Sequence, residues 1–269
     1  MTLPPPTDPP TDPPTSLPPL VGITTDLADH PNGTRVFTYR HYAEAVAAAG
    51  GIPVLLPPIA ETVRAVAPRL DAFVFTGGDD PGTEPFGCPT DPRTTPVHPD
   101  RQRFETDLLR TLTEHHPHTP VLGVCLGMQM QALVAGGRLD QYMPESHPTH
   151  ADHWEQDHPV NPIGPIGDNP LALPLPLPLR GTVRSKHRQA VADPGSLTVI
   201  AVAPDGVIEA VCDPARRFWV GVQWHPERTG DDAVGAALFR QLVAAATPRS
   251  GAPQCRPQQP PPPQPPPTT

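Results

Sequence analysis

Short apolar runs alternate with longer amphipathic stretches through the first half of the chain. Each run is too short for a helix and is bounded by glycine, proline or aspartate, which predicts buried strands. The predicted strands lie at residues 20–25, 52–57, 71–78 and 120–125.

Apolar positions recur at helical spacing in the stretches between these runs. The stretch 38–51 starts at a threonine, which suits a helix N-terminus, and ends in two glycines, which commonly stop helices. Similar patterns predict helices at 100–116, 126–137 and 231–246. Strands that alternate with helices indicate a parallel sheet, and ligands of such sheets bind beyond the carboxyl ends of the strands.

The second half of the chain has a different pattern. Residues 138–180 are rich in proline and histidine, and no element is assigned to them. Further on, short runs of β-favouring residues separated by turn signals predict strands. They lie within 182–191, 196–204, 206–213 and 218–227.

Both ends of the chain are dominated by proline, which has no N–H to donate and holds φ fixed. Neither end carries the apolar residues that would offset the entropy of ordering. We therefore expect disordered tails at 1–19 and 248–269 and one catalytic domain over 20–247, long enough to bury a full core. The tails are interpreted as solvated extensions rather than as ligands for proline-recognising domains.

The composition excludes several classes of function. A formal charge of −9, without any run of lysine or arginine, argues against nucleic acid and against a basic membrane patch. No apolar run reaches the length of a membrane span, and the start lacks the basic and apolar regions of a signal peptide. The four cysteines are scattered, which disfavours disulfides and structural zinc and predicts a cytoplasmic protein.

One cysteine stands in a frame of glycines between a predicted strand and a predicted helix. Cys125 has Gly123 two residues before it and Gly127 two residues after it. This is the layout of a nucleophile elbow, in which a sharp turn presents the nucleophile and requires small neighbours. The N-terminus of the following helix favours the reactive thiolate. Alone, the pattern also fits a small buried cysteine beside incidental glycines.

A second motif, GVQWHPE, supplies a base and a group that orients it. His225 and Glu227 are two residues apart, and in an extended segment such residues project to the same side. A thiol nucleophile needs a base, and the base needs an orienting group. Together with Cys125 these residues predict a cysteine triad rather than a surface turn.

An oxyanion hole would complete this site. The backbone N–H of Leu126 lies at the elbow itself and is one natural donor. Gly78 ends the neighbouring predicted strand, and we expect its N–H to be the second donor. The alternative for Gly78 is a glycine turn without a catalytic part.

These motifs resemble the class I glutamine amidotransferase superfamily, and within it the γ-glutamyl-γ-aminobutyrate hydrolases of the peptidase C26 family. The resemblance rests on GVCLGMQ, GVQWHPE and the strand-end TGG, and it is supported by TGGDDPGTEPFG, GGRLDQYMPE, SKHRQAV and PDGVIEAV. It extends from Leu20 to Ala246. It implies an α/β fold with a flavodoxin-like, mostly parallel sheet flanked by helices and with a nucleophile elbow.

The resemblance also implies hydrolysis of the γ-glutamyl amide bond of a small γ-glutamyl amine. Cys125 would form a γ-glutamyl thioester. His225 would protonate the leaving amine and then activate water, while Glu227 would hold the imidazole in place.

By similarity, four further residues bind the glutamyl group. They are Gln129, Ser185, His187 and Gln189. Gln129 and His187 also fit purely structural roles. Glu209 falls where the family carries a glutamate. The alternative interpretation of Glu209 is a carboxylate at the edge of a strand.

The chain departs from the hydrolase pattern outside the triad. Leu126 stands where those hydrolases usually carry arginine. Synthase-linked amidotransferases also carry leucine at this position. Arg184-Ser185 replaces an Asn-Ser pair, and Phe86 replaces a tyrosine. These departures leave the identity of the leaving amine open.

Four histidines lie close together, at His147, His150, His153 and His158. Their spacing lacks the repeated i,i+4 pair of a helical metal site, so we predict a solvated loop that lies where a lid would. The sequence therefore predicts neither a metal nor a cofactor.

Three other functions stay open. A glutaminase subunit would deliver ammonia to a synthase partner and would gain activity from that partner. Folate-type γ-glutamyl hydrolysis normally goes with a secreted or lysosomal chain. A non-catalytic interaction protein would use the proline-rich tails. A homodimer is also open, since the sequence does not determine the oligomeric state.

Overall fold

The computed structural model describes residues 17–162 and 179–247. The predicted disordered tails lie almost wholly outside the described residues, and so does Cys255. Within the described ranges, Cys88, Cys125 and Cys212 are free thiols. No helix in these ranges has the length and apolar character needed to cross a membrane.

The elements are as follows. The strands are β1 (Leu20–Thr24), β2 (Asp26–Ala28), β3 (Arg35–Phe37), β4 (Ile52–Leu56), β5 (Ala72–Phe75), β6 (Val121–Val124), β7 (Arg138–Asp140), β8 (Trp154–Pro162), β9 (Gly181–Lys186), β10 (Ala190–Asp193), β11 (Thr198–Val202), β12 (Ile208–Cys212) and β13 (Trp219–Val222). The α-helices are α1 (Arg40–Ala48), α2 (Val63–Val66), α3 (Pro99–His115), α4 (Leu126–Val134), α5 (Met143–Ser146) and α6 (Ala236–Ala246). Short 3₁₀ helices lie at Ala60–Thr62, Ala67–Arg69, Glu84–Phe86, His150–His153 and Pro226–Arg228.

Eleven strands of the described chain form one sheet with two different halves. Its order is β4-β1-β5-β6-β13-β12-β11-β8-β9, with β10 pairing to β12 and β7. The pairs from β4 to β13 are parallel, as the alternation of strands and helices predicts. From β13 onward the pairs are antiparallel. The predicted α/β fold with a flavodoxin-like parallel core is confirmed.

The apolar runs are explained by burial on both faces of the parallel half. In β5, Ala72 and Val74 belong to one core cluster, which also contains side chains of α1 and α6. Phe73 and Phe75 belong to the other cluster, which contains side chains of α3 and α4. Successive side chains of a strand point to opposite faces, so a strand covered on both sides is apolar throughout.

The prediction of a solvated loop over 147–158 is wrong for the second part of that segment, where His153 and His158 are buried. Residues His150–His153 form a 3₁₀ turn, and β8 then begins at Trp154 and pairs with β9 over most of its length. Prolines within this strand weaken its sequence signal, because proline is rare in paired strands. Pairing with a partner distant in the chain outweighs that local preference.

Candidate active site

Cys125 lies in the sharp turn between β6 and α4. Its backbone has φ 51° and ψ −103°, a strained conformation for a residue with a side chain. A Cβ added at Gly127 would overlap the carbonyl of Phe75, and one added at Gly123 would lie 2.8 Å from the carbonyl carbon of Gly127. Only glycine fits at these two positions, which confirms the elbow.

His225 and Glu227 follow β13, where a 3₁₀ turn brings their side chains together. Nδ1 of His225 is 2.8 Å from Oε1 of Glu227. Burial lowers the pKa of His225, but the charge of Glu227 and the contact with Cys125 outweigh it and raise this pKa to about 9. His225 is therefore an imidazolium at neutral pH. The backbone N–H of His225 donates to the carbonyl of Arg184, which anchors the turn to β9.

The turn after β5 packs against both of these groups. A Cβ added at Gly77 would lie 2.9 Å from Cε1 of His225 and 3.5 Å from Cβ of Cys125. The structure thus places Cys125, His225, Glu227 and the Thr-Gly-Gly turn in one location.

The predicted oxyanion donors lie beside this turn. Leu126 is the first residue of α4, and the N–H groups of the first helical turn have no partner within the helix. The N–H of Gly77 donates to the hydroxyl of Tyr42 at 2.9 Å and is not available to a substrate. Of the two glycines, Gly78 is therefore the candidate donor, and both oxyanion roles stay predictions.

A cavity of about 420 Å³ opens over the nucleophile. Cys125 and His225 lie in its wall, together with three of the predicted substrate-binding residues, Gln129, His187 and Gln189. Ser185, the fourth, is fully buried behind the wall and does not line the cavity.

Sequence reasoning missed a buried amide behind the nucleophile. Nε2 of Gln223 donates to Sγ of Cys125 at 3.5 Å, and its Oε1 accepts from Nε2 of Gln129 at 3.3 Å. Gln223 is fully buried directly after the apolar strand β13. A polar residue in that position was the available signal, because a buried polar group needs a partner.

Sequence reasoning also missed a buried arginine beneath the Thr-Gly-Gly turn. Arg101 donates to the carbonyls of Thr76 and Gly77, at 2.9 and 3.1 Å. Its charge is balanced by Glu105 at 2.9 Å and by Asp26 at 2.7 Å. Arg101 and Glu105 are four residues apart, and this spacing on the buried face of the helix was the signal in the sequence.

The fold and the site define a class I glutamine amidotransferase-like protein with a cysteine at a nucleophile elbow. More specifically, the chain belongs to the peptidase C26 family, whose model matches residues 19–227. This membership confirms the resemblance and supports hydrolase activity.

Relatives and solved structures agree with this assignment. A protein of Mycobacterium tuberculosis, provisionally named as a glutamine amidotransferase, is 34% identical over 244 residues, which cover 87% of this chain and 76% of that protein. A γ-glutamyl-γ-aminobutyrate hydrolase of Escherichia coli O157:H7 is 28% identical over 218 residues, which cover 76% of this chain and 84% of that protein. The crystal structure of a glutamine amidotransferase from Thermotoga maritima matches with a TM-score of 0.54 at 14% identity, covering 84% of this chain and 97% of that chain, and shows the shared fold.

Proposed function

We propose that the protein hydrolyses the γ-glutamyl amide bond of a small γ-glutamyl amine, with Cys125, His225 and Glu227 as its triad. One observation carries the proposal. A cysteine on a strained elbow shares a cavity with a histidine whose Nδ1 lies 2.8 Å from a buried carboxylate. The similarity to a protein named as a γ-glutamyl-γ-aminobutyrate hydrolase supports the same substrate class.

The first half of the reaction transfers the γ-glutamyl group to the enzyme. The Cys125 sulfur forms a C–S bond to the amide carbon, and the N–H groups of Leu126 and Gly78 stabilise the charge on the carbonyl oxygen. The C–N bond then breaks while His225 gives a proton to the departing amine. Glu227 keeps the imidazole in one orientation throughout.

The second half releases glutamate. Neutral His225 takes a proton from a water molecule, whose oxygen attacks the thioester carbon. The C–S bond breaks and the thiolate returns beside the imidazolium. Gln129, His187 and Gln189 are proposed to line the glutamyl pocket, since all three line the cavity.

The test is a panel of γ-glutamyl amides with trapping of the thioester. The panel contains the amides of γ-aminobutyrate, polyamines and amino acids, as well as glutamine. Intact-mass measurement after acid quenching is expected to show one γ-glutamyl adduct on the wild type and none on Cys125→Ala. Cys212→Ala is the matched control, because burial raises the pKa of that thiol to about 11 and makes it inert.

Two outcomes would count against the proposal. Wild-type protein that forms no adduct and hydrolyses no member of the panel would overturn it. Turnover of glutamine alone, increased by an added synthase partner, would favour the glutaminase alternative.

A further inference from the structure

A cluster of four buried side chains lies in the antiparallel half of the sheet, beyond the groups that the proposed reaction uses. The histidines converge on one oxygen, Oε1 of Glu209. The distances to it are 3.1 Å from Nδ1 of His153, 3.6 Å from Nε2 of His158 and 3.5 Å from Nε2 of His187. All four side chains are more than nine-tenths buried.

The outer nitrogens of two of these histidines are already bonded. Nε2 of His153 is 3.0 Å from a carboxylate oxygen of Asp205, and Nδ1 of His187 is 2.9 Å from the carbonyl oxygen of Gln189. Carboxylate and carbonyl oxygens only accept hydrogen bonds, so these outer nitrogens carry the ring protons. In neutral rings the inner nitrogens of His153 and His187 then direct lone pairs at Glu209, whereas a second ring proton would let each of them donate to it.

The carboxylate cannot donate a hydrogen bond to those lone pairs, because its oxygens also carry only lone pairs. Across the described chain, neither the inner nitrogens of the three histidines nor the two oxygens of Glu209 have a hydrogen-bond partner. Burial of so many unpartnered polar atoms is costly unless a positive charge lies among them.

We propose that this cluster binds a Zn²⁺ ion through His153, His187 and Glu209, with His158 as the fourth ligand. Imidazole nitrogen and carboxylate oxygen are ligands that zinc accepts. Zinc bonds of about 2.0–2.1 Å in a tetrahedron separate neighbouring ligand atoms by about 3.4 Å, and the distances of 3.1 to 3.6 Å agree with this. The ligand atoms of His153, His187 and Glu209 lie within 4.8 Å of one another, and His158 lies outside that group, so an ion would draw all three imidazoles closer.

The surroundings of the ligands also fit a metal site. Histidines that bind zinc usually donate their other ring N–H to a carboxylate or a backbone carbonyl. His153 and His187 make one bond of each kind. In the competing arrangement, with protons in place of zinc, an imidazolium at His153 would donate to Glu209. For His187 to donate as well, a second imidazolium would be needed, with its ring centroid 4.9 Å from the first.

The proposed ion would be structural, since four protein ligands leave no open position. It would hold the turn at His150–His153, strand β8, the segment after β9 and strand β12 together. The ligands come from distant parts of the chain, which is why the spacing within 147–158 predicted no metal. His187 also lines the cavity, so the ion would fix that wall relative to the nucleophile.

The first experiment measures metal content. The full chain is purified with a tag that contains no histidine, dialysed, and analysed by inductively coupled plasma mass spectrometry. About one zinc per chain is expected for the wild type, and a loss of most of it for Glu209→Gln and His153→Asn. His150→Asn, in the same 3₁₀ turn, is the matched control and is expected to keep its zinc.

Zinc on the nucleophile is the main false positive, because a thiolate is also a zinc ligand. Cys125→Ser is expected to keep its zinc, and X-ray absorption is expected to show nitrogen and oxygen ligands without sulfur. Zinc that disappears with Cys125→Ser, or that persists in Glu209→Gln, would overturn the proposal.

A second measurement does not depend on any variant. Wild-type protein stripped with a chelator is titrated with Zn²⁺ or Mg²⁺ and heated, because a ligand that binds only the folded state raises Tm. The expected result is a higher Tm with one equivalent of Zn²⁺ and no change with Mg²⁺. A Tm that does not respond to Zn²⁺, in protein that also contained none when purified, would show that protons alone hold the cluster together.

Discussion

Glu227 and Glu209 are two buried glutamates that each face Nδ1 of a histidine, at 2.8 and 3.1 Å. Glu227 serves one imidazole, and that imidazole lines the cavity beside Cys125. Glu209 is surrounded by three imidazoles and has no exposed surface. In the proposed reaction the pair beside the parallel half of the sheet would transfer protons, whereas in the proposed zinc site the pair in the antiparallel half would stabilise the fold.

Replacing the carboxylate beside the cavity is expected to have the largest effect. Glu227→Gln keeps the shape of the side chain but removes the charge that orients and stabilises the imidazolium. We expect kcat to fall on the order of 10³–10⁴-fold, as when a triad loses its orienting carboxylate, with Tm close to that of the wild type. Steady-state kinetics and thermal unfolding measure the two quantities.

The control for this variant is Glu145→Gln, at a glutamate whose side chain is 70% exposed. It is expected to leave kcat unchanged. If kcat of Glu227→Gln falls by less than tenfold, His225 does not depend on this carboxylate. The proposed difference in role between Glu227 and Glu209 would then be wrong.

The next largest effect concerns the support of the Thr-Gly-Gly turn. Arg101→Leu leaves Glu105 buried without its partner, and breaking such a pair costs about 3–5 kcal/mol. Urea unfolding measures the loss of stability. Arg103→Leu on the same helix is the matched control, since Arg103 is 63% exposed and its ion pair with Glu61 is worth about 1 kcal/mol or less. Equal losses in both variants would contradict a supporting role for Arg101.

The two glutamates also show what the sequence can and cannot predict. His225 and Glu227 are two residues apart, so local backbone geometry alone brings them together, and the glycines around Cys125 signal the elbow in the same way. Glu209 lies on β12, and the imidazoles around it come from the turn before β8, from β8 itself and from the segment after β9. Only the pairing of distant strands places them in contact, and no local pattern contains that information.

Gln223 and Arg101 illustrate an intermediate case. Each was visible as a polar residue at a position where the surrounding pattern predicts burial. The sequence does not show which distant groups such a residue contacts, namely the Cys125 sulfur for Gln223 and the carbonyls of Thr76 and Gly77 for Arg101. The elbow was therefore predictable, whereas the hydrogen bonds that support it were not.

A smaller effect is expected from the amide behind the nucleophile. Gln223→Leu removes the donor to the Cys125 sulfur, and a hydrogen bond to a charged group is worth about 1.5–3 kcal/mol. We expect kcat/KM to fall by about 10–100-fold and alkylation of Cys125 by iodoacetamide at a fixed pH to slow. Gln241→Leu, at another buried glutamine, is expected to change neither. A normal alkylation rate in Gln223→Leu would reduce this residue to a packing role.

The smallest effect is a shift in the pH dependence of the rate. The pKa of His225 is raised to about 9, chiefly by the charge of Glu227 against the opposing effect of burial. In the proposed reaction the imidazolium protonates the leaving amine, so wild-type kcat is expected to decline as pH rises through about 9. Since the carboxylate raises this pKa, the residual activity of Glu227→Gln is expected to decline at a lower pH than that of the wild type. Rate profiles between neutral and alkaline pH measure both declines. If the two rates decline at the same pH, the group that titrates in the alkaline range is not His225. The effect of Glu227 on kcat would then come from orienting the imidazole alone.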